Sequence, residues 1–149
     1  MRDYAKELEK RVEFIRDLMK KSGAAGIVYG NSGGKDSALV GILCKTACHN
    51  TVGIIMPCGS KRNYELDAVD GKTVADHYGI ETRTVDLTPV REAEIESLGA
   101  ATKLTDAALA NIAPRLRMTT LYAIAASEGR LVAGTGNKSE AYMGYFTKW

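Results

Sequence analysis

The sequence predicts an α/β fold of three layers, a parallel β-sheet with helices on both faces. Three observations predict it. Short β-branched or apolar runs recur at positions 26–29, 51–56, 82–87 and 130–133. Stretches of helical periodicity separate them, and strands alternating with helices build parallel sheets. A glycine-rich loop, Gly30-Asn31-Ser32-Gly33-Gly34-Lys35-Asp36-Ser37, follows the first run directly. Sheets of this kind bind ligands beyond the carboxyl ends of their strands.

The elements follow in order. Ala5, Leu8, Val12, Ile15 and Met19 alternate spacings of three and four, which puts one apolar face on a first helix. Ser22-Gly23 ends it, and Gly26 to Tyr29 is a short buried strand. After the glycine loop, Asp36 and Ser37 are suited to start a helix that runs to about Cys48. Thr51 to Met56 is the second strand. A helix from about Tyr64 to Tyr78 carries Leu66, Val69, Val74 and Ala75 as its apolar positions, and Gly79 caps it. Thr82 to Leu87 is the third strand, and Thr88-Pro89 opens another helix. A long helix is expected from about Ala108 to Glu128, with Pro114 inside it. Arg130 to Ala133 is the fourth strand, and Gly134 to Glu140 is a second loop of small residues. The first and fourth strands are expected side by side, which would bring Ser32–Ser37 close to Gly134–Glu140.

Bulk properties exclude several classes. A chain of 149 residues suits one domain, and 45% hydrophobic with 26% charged residues is ordinary for a globular protein. A net charge of +2 argues for neither a nucleic-acid nor a membrane partner. The apolar stretch Ala38 to Cys44 is far short of the roughly 18 residues of a membrane helix. The charged N-terminus is unlike a signal peptide, so a cytoplasmic location is expected. Three cysteines without framework spacing read as buried or packed side chains, Cys58 included. His49 and His77 read as surface residues near helix ends, and Tyr142, Tyr145 and Phe146 as core or dimer packing.

The glycine loop has a chemistry of its own. Gly33 and Gly34 allow close backbone approach, Ser32 and Ser37 add hydroxyls, and the following helix presents free N–H groups. Together they form an anion cradle. A Walker A loop needs Gly-Lys-Ser or Gly-Lys-Thr at a spacing this loop lacks. Asp36 would repel a phosphate unless a cation stood between them, so it points to Mg²⁺.

Ser32-Gly33-Gly34-Lys35-Asp36-Ser37 resembles the pyrophosphate loop (PP-loop) of the ATP pyrophosphatases. Five further motifs follow in order: Ile55-Met56-Pro57-Cys58, Val85-Asp86-Leu87-Thr88-Pro89, Pro114 to Tyr122, Gly134-Thr135-Gly136-Asn137-Lys138-Ser139-Glu140 and Gly144-Tyr145-Phe146-Thr147-Lys148. With these, essentially the whole chain resembles the ammonia-dependent NAD synthetases. The resemblance implies an adenine nucleotide alpha hydrolase-like (Rossmann-like) fold with strand order 3-2-1-4, and one ATP-binding domain over residues 1–149. It implies that Gly30, Asn31, Ser32, Gly33, Gly34, Lys35, Asp36 and Ser37 hold the ATP phosphates and that Thr135 contacts ATP. Arg115 and Lys148 would contact deamido-NAD, and Asp36 and Glu140 would hold Mg²⁺.

The implied reaction amidates deamido-NAD with ammonia. The nicotinate carboxylate is adenylylated by ATP and ammonia displaces AMP, in a homodimer. Such transfer depends on positioning and charge neutralisation, which the cations here suit. Two departures stand out. The family commonly has an aliphatic residue at Asn31. It also continues past the position of Trp149, so a C-terminally incomplete domain is expected. The alternatives are a nucleotide-binding module without catalysis, or a PP-loop enzyme with another acceptor such as tRNA.

Overall fold

The computed structural model describes residues 3–59 and 61–148, and the side chains of all of these except 61–68. Ten elements follow along the described chain: α1 (Tyr4–Ser22), β1 (Gly26–Gly30), α2 (Lys35–Ala47), β2 (Thr51–Ile55), α3 (Lys61–His77), β3 (Glu81–Thr84), α4 (Thr88–Gly99), α5 (Asp106–Glu128), β4 (Arg130–Ala133) and α6 (Lys138–Met143). The four strands form one parallel sheet in the order β3-β2-β1-β4. This is the three-layer arrangement and strand order expected from the sequence.

The side-chain period of a strand divides the core between the two faces of the sheet. Val28, at the centre of the sheet, pairs with Val52 on one side and Val132 on the other. It belongs to a cluster with Val52, Ile54, Met56, Leu87 and Ala125, against which Leu116, Leu121 and Ile124 of α5 pack. Its neighbour Tyr29 points to the opposite face and packs with Ala75 and Ile80, beside Val40 of α2. Helix α5 lies on the sheet beneath β1 and β4 with α4 beside it, while α2 and α3 cover the other face and α1 rests on α2. Strand β2 is buried throughout, as a central parallel strand must be. Edge strand β3, with the sequence Glu-Thr-Arg-Thr, is polar and partly exposed, which discourages further pairing.

Several boundaries differ from expectation for local physical reasons. Helix α2 begins at Lys35, capped by the backbone of Gly34 rather than by a side chain, so Asp36 and Ser37 sit inside its first turn. Strand β3 ends at Thr84, because Val85 and Leu87 have left the ladder while still bonding Ile55 and Pro57 through their N–H groups. Residues 138–140 are not loop but the start of α6, whose Asn137 and Glu140 form a capping box. Pro114 lies within the continuous helix α5. On α1 only Val12 is buried, and Leu8 is exposed. On α3, Val69 is 61% exposed and Ala75 is buried, while the side chain of Leu66 lies outside the described ones. Tyr142, Tyr145 and Phe146 are exposed on this chain rather than in its core.

Burial on the α2 side of the sheet also makes the fold sensitive to alkali. Burial, with Cys44 nearby, raises the Tyr29 phenol from 10.0 to about 12. Burial, with Cys48 nearby, raises the Cys44 thiol from 9.0 to about 11. Both groups are neutral when protonated, so folding favours the protonated forms. The stability they contribute is complete below pH 9 and is lost as pH climbs from 9 to 12. For Tyr29 the loss by pH 12 is about 2 kcal/mol. Urea unfolding at pH 8, 10 and 12 should show this fall, and Tyr29→Phe should flatten its upper half. An equal slope in that variant would remove Tyr29 as its cause.

Candidate functional site

The site stands at the carboxyl ends of β1, β2 and β4. The Asn31 N–H still donates to the Ile54 carbonyl at 2.8 Å, so the chain leaves β1 in register before it turns. Gly33 then takes φ +78°, a left-handed conformation that a side chain disfavours. The Ser37 hydroxyl, buried in the first turn of α2, donates to the Gly34 carbonyl at 2.8 Å and lies 3.1 Å from the Ser32 hydroxyl. The Gly34 N–H donates to Ser32 Oγ at 3.3 Å. No side chain caps α2, so the first N–H groups of the helix, at its positive dipole end, have no side-chain cap acceptor. Such an arrangement suits the oxygens of an anion. Lys35 is exposed at the start of the helix, and Asp36 is half-buried behind it.

The second loop meets the first, as the strand order requires. Asn137 Nδ2 donates to Asp36 Oδ2 at 3.3 Å across 101 positions of sequence. Asn137 Oδ1 accepts from the Glu140 N–H at 2.9 Å, and Glu140 Oε2 accepts from the Asn137 N–H at 2.9 Å. One asparagine therefore joins the two carboxylates expected to hold a metal. Each carboxylate keeps one oxygen outside these bonds. Two hard oxygen donors fit Mg²⁺, which takes one or two carboxylates and completes its shell with phosphate oxygens and water. Among the described residues no cluster of three or more His, Cys, Asp or Glu side chains could hold a metal on its own.

A cleft of about 660 Å³ opens beside the cradle. Gly30, Asn31 and Ser32 border it on one side, Thr135 on another, and Met56, Pro57 and Cys58 form its floor. Its far wall is α5, through Pro114, Arg117, Met118, Leu121 and Tyr122. The Arg117 Nε donates to the Met56 carbonyl at 3.1 Å, which fixes the guanidinium against the floor. Burial raises the Cys58 thiol, although Arg117 and Arg91 act against it.

The expected residues do not all converge here. The glycine loop, Thr135, Asp36 and Glu140 come together. Arg115 does not border this cleft. Its guanidinium donates to the Asn111 carbonyl at 3.1 Å and borders a second groove between α4 and α5, with Glu94 and Leu98. The reason is helical geometry. Residues turn by about 100° each, so positions 115 and 117 face nearly opposite ways. Positions 114, 117, 118, 121 and 122 share one stripe, a spacing that could have singled out Arg117. Lys148 is exposed and borders neither cavity. Its neighbour Thr147 donates from its hydroxyl to Asn111 Oδ1 at 2.9 Å, which ties the last described segment to α5. Asn137 also escaped the sequence reading. Its signal was an N-cap residue placed three before a glutamate.

A family model described as NAD synthase matches residues 7–149. The chain belongs to the NAD synthase family. It is 44% identical over 150 residues to the NH₃-dependent NAD⁺ synthetase of Carboxydothermus hydrogenoformans, covering 99% of this chain and 60% of that protein. Among solved structures, the NH₃-dependent NAD synthetase of Campylobacter jejuni superposes with a TM-score of 0.90 at 34% identity, covering 99% of this chain and 62% of that one. The NMN synthetase of Francisella tularensis also superposes with a TM-score of 0.90, at 36% identity, covering 99% of this chain and 60% of that one. This member of the family thus spans about three fifths of the length of these relatives. The family expected from the PP-loop and its companion motifs is the family found, and its named members here are ligases that make NAD or NMN.

Proposed function

We propose that the chain carries the ATP-binding part of an ammonia-dependent NAD synthetase, over residues 1–149 as one domain. The observation that carries this is the meeting of the glycine loop with Asn137 and Glu140 through Asp36. The α2 N-terminus, Ser32 and Ser37 would hold the β- and γ-phosphates, with Thr135 near the rest of the nucleotide. Asp36 and Glu140 would hold Mg²⁺, which when bound neutralises phosphate charge.

In the reaction, a carboxylate oxygen of the nicotinate ring of deamido-NAD attacks the α-phosphorus of ATP. The bond from that phosphorus to the β-phosphate bridging oxygen breaks, and pyrophosphate leaves. Ammonia then attacks the acyl carbon of the mixed anhydride, loses a proton, and displaces AMP to leave the amide. The chain's residues would supply position and charge: the loop would grip the leaving pyrophosphate, and Arg117, which lines the cleft, would offer a positive charge to the reacting carboxylate. Arg115 and Lys148 stay in the reading as deamido-NAD contacts at the outer edge. A cytoplasmic homodimer belongs to the same reading, with Tyr122, Tyr142 and Tyr145 as exposed surface for a partner or ligand.

The test measures pyrophosphate and AMP from this chain with ATP, Mg²⁺, ammonium and deamido-NAD. The expected result is both products in equal amounts, dependent on deamido-NAD. No turnover with micromolar ATP affinity would leave a nucleotide-binding module. The likeness to an NMN synthetase supports a second reading in which the acceptor is the nicotinate mononucleotide. Faster turnover with that acceptor than with deamido-NAD would decide for it.

A further inference from the structure

Asn31 is a buried polar residue of the glycine loop whose side chain bonds to other protein groups. It is 5% exposed, and its carboxamide makes two bonds. Nδ2 donates to the Gly71 carbonyl on α3 at 2.9 Å, and Oδ1 accepts from the Gly33 N–H at 3.3 Å. A carbonyl on one side and an N–H on the other admit one orientation of the amide. Helix α3 is shaped to receive it. A Cβ at Gly71 would stand 2.8 Å from Asn31 Oδ1 and 3.1 Å from its Cγ. Glycine is a poor helix former in mid-helix, and here its missing side chain leaves the room that the carboxamide occupies.

The two N–H groups of the double glycine are therefore held differently. Gly34 donates to the Ser32 hydroxyl, which is exposed and whose own proton goes to Ser37 Oγ within the same loop rather than to another helix. Gly33 donates to an oxygen that α3 locks in place. We propose that Asn31 and Gly71 form a latch that fixes the phosphate loop on α3. In this latch Asn31 is a positioning residue, and the Gly33 N–H is structural rather than a phosphate donor. The phosphate is then met by Gly34, the first turn of α2, Ser32 and Ser37. This rests on the proposed ATP-binding role for its consequence, though not for its geometry. An aliphatic residue at position 31 could fill the same space but could make neither bond.

The test is a double-mutant cycle on the full chain with Asn31→Leu and Gly71→Ala, probed with pyrophosphate and Mg²⁺ by titration calorimetry. Each single variant should weaken pyrophosphate binding by about tenfold, the scale of one or two lost hydrogen bonds. The double variant should be no weaker than either single one, because both break one latch. Adenosine affinity should not move. Additive losses, or a Gly71→Ala affinity within twofold of the parent, would overturn the latch. Hydrogen exchange of the Gly33 amide judges the geometry without any ligand. Both variants should lose its protection, and so should Asn31→Asp, which keeps an acceptor for Gly33 but turns a carboxylate toward the Gly71 carbonyl; full protection in Asn31→Leu overturns the proposal. If the parent chain binds no pyrophosphate, the ATP-binding reading fails, and the exchange data alone then decide for or against the latch.

Discussion

Asp36→Asn should weaken ATP binding by about 100-fold at saturating Mg²⁺, yet tighten it by a comparable factor in EDTA. The reversal follows from charge. Asp36 is half-buried in the first turn of α2, beside the phosphate cradle. At ~5 Å and an effective dielectric of ~20, a carboxylate and a phosphate charge interact by about 3 kcal/mol. Without a cation that interaction is repulsive, and removing the charge helps the nucleotide. With Mg²⁺ between them the same carboxylate attracts, and its loss forfeits a comparable amount. The substitution keeps the side chain's size and leaves an oxygen facing the donor amide of Asn137, so the loop-to-loop contact need not collapse. Calorimetric titration of ATP with and without Mg²⁺ reads both signs. Unchanged affinity with Mg²⁺ would remove Asp36 from the metal site. Weaker binding under both conditions would point to damage to the loop instead.

Much of this architecture was legible because its causes are local. The strands 51–56 and 130–133 could be read from β-branched and apolar runs. The glycine loop's place followed from its position directly after the first strand. The adjacency of β1 and β4 was legible at one remove, since two loops with complementary chemistry must meet for either to matter. What stayed hidden depends on partners distant in sequence. Asn31 reads as a loop residue until Gly71 is seen beside it, 40 positions away. Arg115 and Arg117 have the same chemistry, and only the face that α5 turns to the sheet separates them. The start of α6 was hidden for another reason: Gly134-Thr135-Gly136 gives a strong loop signal that overshadows the capping pair immediately after it. Val69 shows the limit of periodicity. An apolar residue at helical spacing can still face solvent, because spacing marks a stripe without saying how wide the buried part is.

Gly41→Val should destabilise the fold by at least about 3 kcal/mol, the upper range for forcing extra methyl groups into a packed core. In a chain of this size that lowers Tm by about 6–12 °C. Tyr29 is the cause. Its ring is buried between α2 and β2, over Gly53, its partner in the β1–β2 register. A Cβ at Gly41 would stand 2.5 Å from Tyr29 Cζ and nearer still to its hydroxyl oxygen. A Cβ at Gly53 would meet the same hydroxyl at 3.0 Å. The ring cannot swing toward Gly53 to make room, so α2 itself must lift from the sheet. Because α2 begins at the phosphate loop, that movement should weaken ATP binding as well as folding. Pairing the change with Tyr29→Leu removes the ring and should regain at least half of the lost Tm, since the summed volume is then closer to the original. Differential scanning calorimetry on the single and double variants checks both expectations. A Gly41→Val midpoint within 2 °C of the parent would mean that α2 is not seated by Tyr29, and that the loop it carries is held chiefly from α3 and the Asn137 contact.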